Sequence, residues 1–85
     1  MEILTTVIVE EKTLNVGDTF DIGNGISIVI HELFDINGQI YIATTTENHA
    51  MMSLKLNEEG TETFTPNRYI NPAVVWVRKN AHLFN

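Results

Sequence analysis

The chain has no cysteine, two prolines, one tryptophan and only five basic side chains in 85 residues. Without a thiol there is neither a disulfide framework nor a thiolate metal site, so packing alone must hold the fold, in a reducing compartment or in indifference to redox state. No run approaches the roughly 20 apolar residues that a membrane-spanning helix needs. Met1-Glu2-Ile3-Leu4 lacks the basic n-region and long apolar h-region of a secretion signal. The expected location is therefore the cytoplasm, of a bacterial or virus-infected cell, with no membrane partner. The length fits one domain, residues 1–85, with a single small core.

Motifs that carry chemistry are equally scarce. The glycines include G-N-G at Gly23 to Gly25, but no G-x-x-x-x-G-K or G-x-G-x-x-G that would cradle a phosphate. Ser27 and Ser53 are the only serines, and neither lies in a G-x-S-x-G nucleophile context. His31, His49 and His82 show no metal-ligand spacing, and His31-Glu32 puts neighbouring side chains on opposite faces of a strand. His31 is expected as a hydrogen-bonded core or groove residue and His49 as a solvated loop residue. Glu10-Glu11 and Glu58-Glu59 fall beside turns, where a solvated acidic edge is the simplest account. The chain is thus read as non-enzymatic, with no catalytic residue, no metal site and no cofactor.

Positive charge is not only sparse but segregated. All eleven acids lie at or before Glu62, where the only cations are Lys12 and Lys55, while the segment from Thr63 onward carries Arg68, Arg78 and Lys79 and no acid. The net charge of −6 repels a polyanion over a Debye length of about 8 Å, which argues against nonspecific nucleic-acid binding by the whole surface. The three late cations either form a local basic face or offset a neighbouring acidic surface.

What is plentiful is β signal. From Gly25 to Thr46 two β-rich runs meet at Asn37-Gly38, a pair that tolerates the positive φ of a two-residue type I′ turn. Counting outward, Ile36 should face Gln39, Phe34 should face Tyr41, and Leu33 should face Ile42. Ile26 to His31 extends the first arm as a central strand. Ile3 to Val9 is expected as a first strand and Thr19 to Ile22 as a second, entered through Leu14 to Asp18, where Gly17 takes the strained dihedral and Asp18 caps the turn. Met52, Leu54 and Leu56 alternate with polar residues as a half-buried strand, and Thr61 to Thr65, followed by Pro66, suits a sheet edge. Ala73 to Arg78, β-branched and aromatic, reads as the last strong strand. No helix of two turns stands out, the nearest candidate being Thr46 to Met52; the tail could form a short helical turn. Five to seven short strands imply an all-β fold, a small antiparallel barrel of SH3-like type first and OB-like type second.

The candidate binding cluster is Arg68, Tyr69, Trp76, Arg78, Lys79 and His82. On a strand, Trp76 and Arg78 would share a face, and an aromatic ring flanked by guanidiniums suits a base, a nucleotide or an acidic peptide. Alternatively Trp76 is the core tryptophan, with Arg78 at its rim. Leu83 and Phe84 should dock on the domain or on a second subunit, which makes them candidate contacts of a homodimer. The function expected first is a protein-interaction module, either a small acidic inhibitor or adaptor of the kind mobile elements use, or a subunit of a larger assembly. The alternative is a module for a nucleotide or single-stranded nucleic acid.

Overall fold

The computed structural model describes residues 1–23, 25–45, 63–65 and 67–84. At its centre is the expected hairpin, Glu32–Ile36 and Gln39–Thr45, paired Ile36 to Gln39, Phe34 to Tyr41 and Leu33 to Ile42. Asn37 and Gly38 take φ of 53° and 84°, and the Asp35 carboxylate accepts the Gly38 N–H at 2.8 Å. A Cβ at Gly38 would meet nothing within 4 Å, so its dihedral rather than space calls for glycine there.

In chain order the strands are β1 (Glu2–Leu4), β2 (Thr6–Val9), β3 (Lys12–Asn15), β4 (Thr19–Gly23), β5 (Ile26–Val29), β6 (Glu32–Ile36), β7 (Gln39–Thr45), β8 (Thr63–Thr65) and β9 (Arg68–Pro72). Helix α1 (Ala73–Lys79) and a 3₁₀ turn at Ala81–Leu83 follow. The main antiparallel sheet runs β1-β6-β7-β9-β8, while β2-β3 and β4-β5 are separate two-stranded ribbons. The Thr63–Thr65 edge strand is where the sequence places it. The sheets are open. Among the described residues they do not close into the expected barrel, because the ribbons join the rest by isolated bonds rather than ladders. Examples are Gly17 N–H to the Ile30 carbonyl (2.9 Å), from the β3-β4 turn to just past the end of β5, and His31 N–H to the Ala43 carbonyl (2.8 Å), from the β5-β6 junction to β7.

Two expected strands are each divided. The run from Ile3 to Val9 bends at Thr5, since its first half pairs with β6 and its second turns back on β3. Likewise the run from Ile26 breaks at Ile30-His31, where β5 leaves its partner β4 and β6 joins β7. His31 is exposed rather than in the core, with its N–H on the Ala43 carbonyl at 2.8 Å. The Gly17-Asp18 turn is as expected: Gly17 has φ of 93°, and the Asp18 carboxylate accepts the Asn15 N–H at 2.9 Å. The expectations for Thr46 to Met52, for His49, for the strand through Met52, Leu54 and Leu56, for the Glu58-Glu59 edge and for Pro66 lie outside the described residues.

The largest correction is at Ala73 to Arg78, which is helical rather than extended. Pro72 closes β9 with φ of −54° and ψ of 133°, and the chain then turns into α1. Ala73, Trp76, Val77 and Asn80 are buried, a spacing of i, i+3, i+4 and i+7, while Val74 and Arg78 are exposed. Three valines cost about 1.5 kcal/mol in helix propensity relative to alanine. Burying one large apolar side chain returns about 1.5–3 kcal/mol, so tertiary packing outweighs the local β preference. The Asn80 side chain and backbone N–H both donate to the Trp76 carbonyl, at 2.8 and 3.1 Å, and stop the helix. Around Trp76 the core gathers Val9, Leu14, Ile30, Leu33, Ile42, Ala73 and Val77.

The β2-β3 turn consists of Glu10 and Glu11 at φ of 50° and 66°, a left-handed pair made without glycine. Holding a side chain in that region costs about 1–2 kcal/mol per residue. The extra freedom of an unfolded glycine takes back about 0.4–1 kcal/mol. Glu11→Gly is therefore expected to stabilise the fold by about 0.5–1 kcal/mol, seen as a higher urea midpoint with unchanged slope; a lower midpoint would contradict the turn geometry.

Candidate docking groove

Three neighbouring elements leave a hollow of about 340 Å³ between them. The end of β2 supplies Ile8, Val9 and Glu10, the β6-β7 turn supplies Gly38, Gln39 and Ile40, and the β9-α1 junction supplies Pro72 and Val74. On β2 the alternation turns Val7 and Val9 toward the core and leaves Ile8 outside, 72 % exposed. Val74 is outside because helical spacing turns it away from Trp76, and it is 41 % exposed. The lining is mostly hydrocarbon. Polar side chains appear only as Glu10 and Gln39, and the lining holds no hydroxyl, imidazole, amine or guanidinium. Such a surface can bind an apolar group, with Glu10 as the one ionisable side chain of the lining.

Arg78 stands one turn beyond Val74 on α1 and binds the Glu10 carboxylate through Nε and Nη2, both at 3.1 Å. Both side chains are substantially exposed, so this pair is worth at most about 1 kcal/mol. Its consequence is positional: it ties the basic end of the helix face to the acidic rim of the groove.

The six candidate residues of the C-terminal cluster do not assemble into one face. Trp76 is fully buried, with its ring centroid 5.8 Å from Phe20 and 6.1 Å from Phe84. At roughly 100° per residue, Trp76 and Arg78 point about 200° apart around the helix, whereas a strand would have put them side by side. Arg68, at the start of β9, reaches across β7 to an ion pair with Glu32 on β6. Tyr69 is half-buried on β9 beside Thr44, Lys79 half-buried at the end of α1, and His82 exposed in the 3₁₀ turn. Leu83 is half-buried. Phe84 docks on the domain's own core, 5.0 Å from the Phe20 ring with the Lys12 ammonium 5.9 Å away.

Sequence reasoning passed over Ile8, Ile40 and Val74. One signal was there: Val7-Ile8-Val9 cannot all face one side of a strand, so one large apolar side chain had to point outward. Among the described residues no three His, Asp or Glu side chains are grouped to hold a metal ion, and no helix is long and apolar enough to cross a membrane. Comparison with protein-family profiles, with curated proteins and with solved structures finds no match to this chain.

The burial of the lone tryptophan gives a direct optical check. Trp76 emission should be blue-shifted and resist acrylamide quenching, and Phe84→Ala should both red-shift it and cost about 1–2 kcal/mol, less than a fully buried ring would. Native emission already at the wavelength of free tryptophan would contradict this core.

Proposed function

We propose that the chain is a non-enzymatic protein-interaction module, acting as a small inhibitor or adaptor or as a subunit of a larger assembly, and that it receives its partner at the groove. The observation that carries this reading is the convergence of two exposed large apolar side chains, Ile8 and Val74, from separate elements over one hydrocarbon-lined hollow. Isolated exposed apolar residues are ordinary, but a concave group of them marks a contact surface. Its lining of Ile, Val and Pro beside one Glu and one Gln supports binding over catalysis. The alternative of a nucleotide or single-stranded nucleic acid relied on Trp76 as a stacking platform, and that ring lies in the core. The excess of negative charge further weakens it.

The test is affinity capture by the tagged chain from nuclease-treated lysate of its source, run beside an Ile8→Gln/Val74→Gln double variant whose Trp76 emission confirms folding. A stoichiometric protein captured by the wild type and lost by the variant is the expected outcome. Equal capture by both would remove the groove from the contact.

A further inference from the structure

Resting on that docking reading, we propose that the groove accepts a segment of a partner protein in which an apolar side chain is followed closely by a lysine or arginine, and that Arg78 keeps the place of the partner's cation on Glu10. The chain's own helix supplies the pattern. Val74 and Arg78, four residues apart, lie on the one exposed face of α1. Opposite them Ile8 and Glu10, two residues apart, come from β2 and its turn. Apolar stands against apolar and cation against carboxylate, with Arg78 at 3.1 Å from the same Glu10 oxygen through two nitrogens. A partner that offers the same pair of groups fits the same surface.

The charge around the groove favours a basic occupant. Glu10 belongs to the lining, and Glu11 beside it is exposed with no ion pair among the described residues. An apolar occupant without charge would leave Glu11 unmet and Glu10 with Arg78 as its cation. A second copy of this chain is a poorer fit still. A two-fold contact through this groove would bring both pairs of carboxylates together, between chains that each carry −6. A basic partner is instead drawn toward that field, which raises its encounter rate at low salt.

The probe is a display library of short random linear peptides selected on the immobilised full chain. Enriched peptides should place Leu, Ile, Val or Phe within one helical turn of Lys or Arg, and should lose binding to Ile8→Gln/Val74→Gln. They should bind Arg78→Gln about 2–5-fold tighter and Glu10→Gln more weakly by a similar factor, the range expected for an exposed ion pair. Affinity should fall as salt rises. Peptides that need Ile8 and Val74 but carry no cation would overturn the basic partner while leaving the docking reading in place. Basic peptides indifferent to Arg78→Gln would overturn the place-keeping role of Arg78. Peptides indifferent to the double variant, or no enrichment over the bare support, would overturn both readings.

Discussion

An indole of full tryptophan size has to be covered on every side, and in so short a chain that demand recruits material from nearly every element. Trp76 is enclosed by Phe20 from β4 and Phe84 from the tail, within a core that also takes Leu14 from β3, Leu33 from β6 and Ile42 from β7. Among the described residues no ladder joins the two ribbons to the five-stranded sheet, so the shared apolar core, with a few isolated backbone bonds, holds the three sheets together. The arrangement carries a cost. Among the described residues Trp76 Nε1 and Thr44 Oγ1 are buried without hydrogen-bond partners. Each such group costs about 1–3 kcal/mol, a loss that burial of the indole and its two ring contacts offsets.

Fixing Trp76 inward also fixes what α1 shows to solvent. With Ala73, Trp76, Val77 and Asn80 facing the core, Val75 buried as well and Lys79 half-buried, Val74 and Arg78 are the helix side chains left exposed. Pro72 sets where that face begins, because it ends the ladder of β9 and starts the helix beside the β6-β7 turn. The groove therefore follows from how the core is sealed, and the Val74 part of its wall and the cation that meets its Glu10 come from one turn of helix.

Local chemistry decided which parts were legible in the sequence. Asn37-Gly38 dictates a turn type that dictates a register, and the cross-strand partners of β6 and β7 follow residue by residue. Gly17 and Asp18 are readable for the same reason: a left-handed dihedral and a capping carboxylate are properties of the residues themselves. Thr5 and Ile30-His31 carry no such mark, because the chain bends there only to serve two different pairing partners. Val74-Val75-Trp76-Val77 shows a β preference that only the rest of the core overrules. The expected shared face of Trp76 and Arg78 went with it, since that geometry assumed the period of a strand. The groove, assembled from three elements distant in sequence, had no local signature beyond the surplus apolar residue at Ile8.

The segregated charge also becomes intelligible in three dimensions. Of the three cations after Thr63, Arg68 meets Glu32 and Arg78 meets Glu10, so each pair joins the late segment to the acidic earlier one. Neither pair is buried enough to matter much for stability, and a basic face of the kind needed for a polyanion does not form from residues already engaged with carboxylates. The pairing leaves the acidic excess outward, with Glu11 and Asp21 both exposed. Asp21, like Asp18 and Asp35, holds its own turn by accepting a backbone N–H, here that of Gly23 at 2.8 Å. Acidity at those positions is structural. At Glu10 and Glu11 no such local bond exists among the described residues, and two carboxylates occupy a left-handed turn that Asn-Gly would fill at lower cost. Glu10 instead meets Arg78 across to α1, so this turn lies on the rim of a groove lined by Ile8 and Val74 and is tied to the helix that supplies one of its walls.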